Sequence, residues 1–274
     1  METPKPGLPE TVHIIPLGHE IDRAIKPLIN KKVDRVHLLA ISPEAELDPV
    51  MKDKQMNYTR KVTAQLEALS IPVRFHPVEM FDVLDVLKNV SRIIVQEKAN
   101  GNFVYVNMSA CGRKTSFAVT VAAMYHEVVS YYVAADGYAT GENSEKEIDH
   151  GMSIVESSNI ELLQQFQIMK PKDINVELLA ELYRRKMNDT PYMKSDEIIT
   201  FLNGRKVHGF EVKPEDKRGL DKSKLRRSLL NRISRSHLEE LEGQKYIEKK
   251  KVGKEFSVKI TPAGSHIACV SGLV

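Results

Sequence analysis

Cysteine is scarce in this 274-residue chain: it has two, Cys111 and Cys269. Standing 158 positions apart, they exclude a disulfide framework and any zinc site built on cysteine pairs. Tryptophan is absent, which decides nothing about class. Long apolar runs are missing as well. The most apolar stretch, Thr115–Ala135, has His126 and Glu127 near its middle and does not read as a membrane-spanning helix. Met1–Glu10 hold three prolines and no apolar run, so residues 1–10 are expected to be a disordered tail and not a signal peptide. A cytoplasmic protein is the expectation, with no membrane partner. Several enzyme motifs are also lacking. Pro16-Leu17-Gly18-His19-Glu20 stands where a dinucleotide oxidoreductase needs Gly-x-Gly-x-x-Gly. His126-Glu127 lacks the second histidine of a zincin, no nucleophile elbow is present, and the other histidines have no metal-ligand spacing. No cofactor and no metal site is expected.

What is present suits a folded chain of two modules. Apolar residues make up 42% and charged residues 28% of the total. The net charge of +3 hides an asymmetry. Residues 1–170 carry 18 Lys+Arg against 22 Asp+Glu, or −4, and residues 171–274 carry 22 against 15, or +7. The basic module points toward nucleic acid or another polyanion.

Residues 11–170 alternate two periods. Thr11–Leu17, Arg35–Ile41, Val73–Val78, Asn102–Met108 and Ser130–Ala135 read as strands. Ile21–Lys31, Pro49–Leu69, Phe81–Gln96 and Ser116–Val129 read as helices between them. The alternation predicts an α/β domain with a Rossmann-like parallel sheet, helices on both faces. Asp136-Gly137 reads as a turn and Gly141–Gly151 as a loop. Ser153–Met169 reads as helical in its middle, with a strand near Phe166–Met169. Lys170-Pro171 marks the domain boundary.

Residues 171–274 change character. Ile174–Met187 is an amphipathic helix with Asp173 placed to cap it, and Asp196–Leu202 a short helix with Ser195 as its cap. Gly204–Leu220 reads as a loop or insertion. Ser223–Gly243 is the strongest helical pattern of this half. Lys245–Val252 and Glu255–Ile260 flank Gly253-Lys254, a hairpin signal, and Thr261-Pro262 opens a last short helix.

On a wheel, Leu225, Leu229, Leu230, Ile233 and Leu241 share one arc of the long helix, with Leu238 off it. Arg227, Ser228, Asn231, Arg232, Ser234 and Arg235 fall mainly on the other. That set suits DNA, where Arg forks onto phosphate or guanine, Asn pairs with adenine and Ser reaches phosphate. An isolated helix of this kind would read as a solvated surface helix. The hairpin behind it, with Lys249, Lys250, Lys251 and Lys254 at its tip, changes the balance. Ser236–Gly264 (SHLEELEGQKYIEKKKVGKEFSVKITPAG) resembles the winged helix-turn-helix of transcription regulators. The resemblance implies a helix in the major groove of double-stranded DNA and a wing on the adjacent backbone. The helix preceding the recognition helix is not fixed by the sequence, because Gly204–Leu220 intervenes.

The fourth strand runs directly into Asn107-Met108-Ser109-Ala110-Cys111-Gly112-Arg113-Lys114-Thr115 and then a helix. Small residues let a backbone approach a ligand, the helix N-terminus offers N–H groups, and Arg113, Lys114 and Thr115 add donors. In a Rossmann-like order the first and fourth strands are neighbours at the switch point, so Gly18, His19 and Glu20 would face Ser109–Thr115 across one crevice. Pro16–Glu20 and Val106–Thr115, with the winged helix behind them, resemble the CARF-domain (CRISPR-associated Rossmann fold) regulators of archaeal type. Cys111 stands near where the family pattern has glycine. The resemblance implies a homodimer, and a cyclic oligoadenylate or related nucleotide held by Gly18, His19, Glu20, Asn107, Ser109, Ala110, Cys111, Gly112, Arg113, Lys114 and Thr115.

The expected function is a ligand-responsive, DNA-binding transcription regulator and not an enzyme. The alternative is a CARF-type enzyme. Related CARF proteins carry an RNase with an Arg-x4–6-His motif, which Arg232–His237 matches, or cleave a cyclic ligand in the pocket, for which His19, Ser109 and Lys114 are candidates.

Overall fold

Short β-branched runs and side-chain-capped helices build the first half of the chain. The structure is a computed structural model that describes residues 8–157, 159–164, 167–210, 222–252 and 255–274. The expected tail therefore falls mostly outside the described residues. The chain divides into two units, Met1–Met169 and Lys170–Val274.

In the first unit the elements are β1 (Thr11–Pro16), α1 (Asp22–Ile25), β2 (Arg35–Ala40), α2 (Pro49–Ala68), β3 (Val73–Pro77), α3 (Val83–Ala99), β4 (Phe103–Asn107), α4 (Arg113–Tyr125), β5 (Val129–Val133), β6 (Gly137–Tyr138), α5 (Glu147–His150), β7 (Ser153–Ile154) and β8 (Ile160–Leu162). Helix α2 starts at Asp48, whose carboxylate accepts from the amides of Val50 and Met51, with Pro49 at its first position. Asp82 caps α3 in the same way through the amides of Leu84 and Asp85. The main sheet has the order β3-β2-β1-β4-β5-β8, parallel except for the antiparallel β5–β8 pair. This is the expected Rossmann-like arrangement, with the order reversing between β1 and β4. One face of β1 and β2 buries Ile15, Leu17, Val36 and Leu38 against Ile25, Tyr58, Val62 and Leu66 of α1 and α2. Helices α3 and α4 pack together and onto β4, and α4 also meets β1.

Three local readings are corrected. Ile21–Lys31 is not one helix. It forms only α1 and a 3-10 turn at Lys26–Leu28, because Pro27 has no N–H to continue the ladder. Residues 141–151 are not a plain loop: Gly141–Lys146 is a 3-10 helix that runs into α5. Among its described residues, Ser153–Met169 has no helical middle. Ser153–Ile154 pairs with Gly137–Tyr138, so Asp136-Gly137 leads into a strand, and β8 covers the edge of β5 that would otherwise stand unpaired. The strand expected near Phe166–Met169 falls partly outside the described residues.

The second unit comprises α6 (Asp173–Met187), β9 (Tyr192–Lys194), α7 (Ser195–Gly204), α8 (Lys222–Ile233), α9 (Glu239–Gly243), β10 (Ile247–Val252), β11 (Glu255–Ile260) and α10 (Pro262–Val270). The antiparallel sheet has the order β10-β11-β9, and Val252 pairs with Glu255 at the hairpin tip. Leu178, Leu182, Ile198, Leu202, Leu229, Ile233, Val258 and Ala268 share its core. Helix, strand, two helices and a hairpin make a winged helix domain, and the preceding helix that the sequence left open is α7, packed on α8. Asp173 and Ser195 are not caps: each is the first residue of its helix, and Lys172 and Lys194 hold the cap positions. Helix α7 is closed instead by Glu197, whose carboxylate accepts from the Lys194 amide at 2.7 Å. Thr261 does cap α10, accepting from the Gly264 amide at 3.0 Å.

Leu238 is the other correction. Between α8 and α9 the chain makes a π turn, Ser234–Leu238, in which the Glu239 amide donates to the Ser234 carbonyl, five residues back. The wider turn brings Leu238 onto the face of Ile233, and both are fully buried.

Candidate functional site

The loop after β1 and the loop after β4 meet at the C-terminal edge of the sheet. The Gly18 amide donates to the Ala110 carbonyl at 2.7 Å. A Cβ on Gly18 would stand 3.3 Å from the Cys111 Cα, a tight contact that favours glycine there. Between these loops lies a crevice of about 470 Å³. Gly18, His19, Glu20, Cys111, Gly112, Arg113, Lys114 and Thr115 line it. The sequence placed these residues together, and the structure does so.

The crevice opens on the N-terminus of α4, which begins after Gly112 with no side-chain cap. Its first amides are therefore free to meet an anion. Arg113 and Lys114 are exposed there, and among the described residues neither has a carboxylate partner. Thr115 is buried and donates through Oγ1 to the Met80 carbonyl at 2.7 Å, which ties the loop after β3 to the crevice wall. Burial pushes the Cys111 thiol up to about 12, so it stands there as a neutral thiol.

Asn107, Ser109 and Ala110 do not line the crevice, which corrects the expectation for all three. Each is buried. Asn107 Nδ2 donates to the Arg23 carbonyl at 2.8 Å, and its Oδ1 accepts from the Ser109 amide and hydroxyl at 2.9 and 2.7 Å. The Ser109 hydroxyl in turn accepts from the Val133 amide at 3.1 Å. These residues shape the loop and leave no polar atom for a ligand, so Ser109 is not a candidate for catalysis.

Glu20 lines the crevice but is already engaged. Its carboxylate accepts from the Ser153 amide and hydroxyl at 3.1 and 2.8 Å and lies 3.4 Å from Arg23. Burial raises its pKa. Residues 137–154 strap this loop in place. The Met152 amide donates to the His19 carbonyl at 2.8 Å, and Asp22 accepts from the Val155 amide at 2.9 Å. Gly151 sits at φ +81°, where a Cβ would be 2.6 Å from the Ile21 amide nitrogen. His19 stacks on Tyr58, with ring centroids 5.1 Å apart. Its Nε2 is buried without a hydrogen-bond partner among the described residues. Burial, with Lys54 nearby, lowers its pKa, so the imidazole is neutral at pH 7.

The remaining wall, apolar apart from Gln55, was not found from the sequence. Met51 and Gln55 come from α2, Met80 and Phe81 from the loop after β3, and Met152 from the strap. Ligands in open α/β sheets sit beyond the carboxyl ends of the strands, and that rule could have pointed to Met80 and Phe81. No local signal marks Met152.

In the winged helix, Arg227, Ser228, Asn231 and Arg235 are exposed on α8 and its π turn. Lys250 and Lys251 are exposed on β10, and Lys254 lies outside the described residues. Two of the expected DNA contacts also have partners within the domain. Arg232 donates to the Gly209 carbonyl and stands over the Phe210 ring, 6.0 Å from its centroid, so it is committed to internal contacts. Lys249 donates to the Ser234 hydroxyl at 3.0 Å and lies over Phe256 at 4.6 Å. The sequence missed Arg226, which bridges Asp196 and Glu255 at 2.9 and 2.8 Å. His237 is buried with its Nδ1 2.7 Å from Asn175 Oδ1, so Arg232 and His237 do not form an open pair. Among the described residues no helix is long and apolar enough to cross a membrane.

Residues 11–138 match the family model HFX_2341_N:-like, N-terminal, and residues 174–272 match the DUF6293 C-terminal winged helix domain. The second match agrees with the winged helix fold of the second unit. No curated protein matches the sequence. Similar solved structures include protein VC1899 from Vibrio cholerae, at 11% identity and TM-score 0.41, covering 94% of this chain and 64% of that one. Can2 from Sulfobacillus thermosulfidooxidans, in complex with cyclic tetra-adenylate, is 12% identical with TM-score 0.37, covering 96% and 64%. Enterococcus italicus Csm6, bound to cyclic hexa-2'-fluoro-hexa-dAMP, is 11% identical with TM-score 0.40, covering 87% and 58%. The chain thus spans less than two thirds of the length of each of these structures.

Proposed function

We propose that this chain, a CARF-like domain joined to a DUF6293 winged helix domain, is a ligand-responsive transcription regulator. Its crevice takes a phosphate-bearing nucleotide, and its winged helix engages double-stranded DNA. The observation that carries this reading is the meeting of Gly18–Glu20 with Cys111–Thr115 around one cavity, with Arg113 and Lys114 at its edge and the uncapped start of α4 facing it. Free amides, two cations and an apolar wall suit a phosphate with a base attached. The CARF resemblance narrows the ligand to a cyclic oligoadenylate. A ring of several nucleotides outgrows one crevice of about 470 Å³. A homodimer that joins two crevices would hold it. Arg227, Ser228, Asn231 and Arg235 support DNA reading by α8, and Lys250 and Lys251 support a wing on the phosphates.

The test is calorimetry of cyclic tetra- and hexa-adenylate against the wild type and the Arg113→Ala, Lys114→Ala double variant. Binding to the first and loss in the second is expected. Absence of binding to the wild type overturns the ligand assignment and leaves a constitutive DNA-binding protein.

A second reading rests on His19. Its neutral imidazole lines the crevice and would take the proton of a ribose 2′-hydroxyl, whose oxygen attacks the adjacent phosphorus to form a 2′,3′-cyclic phosphate while the 5′-oxygen leaves with a proton, which opens the ring. Chromatography of the ligand after incubation separates the readings. Linear products that vanish in His19→Ala indicate an enzyme, and intact ligand indicates a sensor.

A further inference from the structure

A second cavity, of about 350 Å³, opens on the same sheet at the other end of β1. His13 and Gly18 are five residues apart on extended chain, roughly 16 Å, and the two cavities share no lining residue. Its floor is aromatic. The rings of His13 and Tyr105 stack with centroids 5.1 Å apart and planes 15° apart. Tyr131 meets His13 edge-on at 5.6 Å, and its hydroxyl lies 3.1 Å from His13 Nδ1. Leu162 of β8 makes one wall and is 64% exposed. Lys31 and Lys32 line it as well.

Each feature has a chemical consequence. The exposed wall and partly buried Tyr105 leave ring surface for another planar ring to cover. Burial, with Lys31 close by, lowers the His13 pKa to about 4, so the floor is uncharged at pH 7. With Nδ1 engaged by Tyr131, the imidazole offers only Nε2 to a ligand. The positive charge of the cavity therefore belongs to the lysines. Lys32 reaches Asp34 only at 3.8 Å, and Lys31 has no carboxylate partner among the described residues. A neutral aromatic floor with ammonium groups beside it selects a flat ring that carries a negative charge.

We propose that this cavity is a second ligand site, for a small planar aromatic anion, with its ring against Tyr105 and Leu162 above the buried His13 and Tyr131, and its carboxylate or phosphate at Lys31 and Lys32. The assignment stands independently of the crevice. Leu162→Trp in the full chain places the only tryptophan of the protein in the cavity wall. Anthranilate and adenosine 5′-monophosphate serve as probes, one for an aryl carboxylate and one for a base with a phosphate. A saturable change in tryptophan emission with at least one is expected, and the probe that saturates identifies the anion. Lys31→Glu with Lys32→Glu should weaken it about tenfold or more, and Arg113→Ala with Lys114→Ala should leave it unchanged. Calorimetry on the wild type guards against a tryptophan that blocks the cavity. Failure of both probes there as well overturns the proposal. So does binding that the lysine substitutions spare and the Arg113, Lys114 substitutions remove.

Discussion

Asn107 donates through Nδ2 to the backbone carbonyl of Arg23 at 2.8 Å, across 84 residues of sequence. That carbonyl is the acceptor a helix would offer to residue 27, which is Pro27 and has no N–H. The same side chain holds the Ser109 amide and hydroxyl through Oδ1. One amide group thus joins the truncated α1 turn to the loop that shapes the crevice.

Asn107→Leu should therefore lower stability without acting on a ligand directly. It leaves the Arg23 carbonyl and the Ser109 amide buried and unsatisfied, at about 1–3 kcal/mol each. Urea unfolding followed by circular dichroism checks this. Because Asn107 holds the loop that shapes the crevice, a folded Asn107→Leu protein should also bind nucleotide more weakly than the wild type.

The crevice wall makes a prediction distinct from the cations. Phe81 is 60% exposed at the crevice, and Phe81→Ala should weaken nucleotide binding by about 1–3 kcal/mol if a base stacks there. Lys114→Ala should weaken binding in a salt-dependent way, and Phe81→Ala should not. Calorimetry at two ionic strengths separates them.

Stability should fall as the solution is acidified, with His13, His76 and Glu97 among the groups responsible; His76, like His13, is brought to about 4, by burial and by His37 and Arg74. His13 is held neutral, with its pKa lowered by burial and by Lys31 to about 4 from 6.5. The unfolded chain binds this proton first, so the contribution is lost as pH falls from 6.5 to 4, about 3 kcal/mol in all. Burial alone would raise the Glu97 pKa, but hydrogen bonds from Arg35, Asn102 and His37 outweigh it and hold the carboxyl at about 2. Its contribution is present above pH 4.5 and lost as pH falls toward 2. His13→Gln keeps a partner for the Tyr131 hydroxyl and should flatten the upper part of the profile, read as the urea midpoint at each pH.

On the winged helix the committed and the free cations should differ. Lys250→Ala with Lys251→Ala should weaken binding to all DNA sequences and reduce the salt slope by about 1 per lost phosphate contact. Arg227→Ala or Asn231→Ala should cost roughly 1–3 kcal/mol and relax specificity where the residue reads a base. Arg232→Ala should act on thermal stability, because its guanidinium is bonded to Gly209 and covers Phe210. Fluorescence anisotropy over a salt series, beside thermal melts, distinguishes these outcomes.

Much of this architecture can be read from short-range signals. Val12, Ile14 and Ile15 belong to a β-branched run with no helical period, and Asp48 and Asp82 stand at helix starts as caps. The crevice follows from strand order alone, since β1 and β4 must be neighbours for Gly18 and Gly112 to share a cavity. What escaped depends on distant partners. Asn107 has the residue type of a ligand contact, and only the orphaned Arg23 carbonyl shows its other use. The strap is polar and rich in short turns, and Ser153 and Met152 gain meaning only against Glu20 and His19. Leu238 defeats a 100° wheel because a π turn inserts before it, and no side chain in Ser234–Leu238 announces that turn.

The central claim is that a ligand in the crevice alters DNA binding. It can do so only by preferring one of two arrangements of the protein, and couplings of this kind are about 1–3 kcal/mol. The direct measurement is the anisotropy of labelled double-stranded DNA from upstream of the protein's own gene, titrated with and without saturating cyclic oligoadenylate. A shift in affinity of about 5–150-fold, in either direction, is the predicted result. It should be absent in Arg113→Ala with Lys114→Ala, whose ligand-free DNA affinity stays near that of the wild type. Equal DNA affinities with the crevice filled and empty would contradict the account.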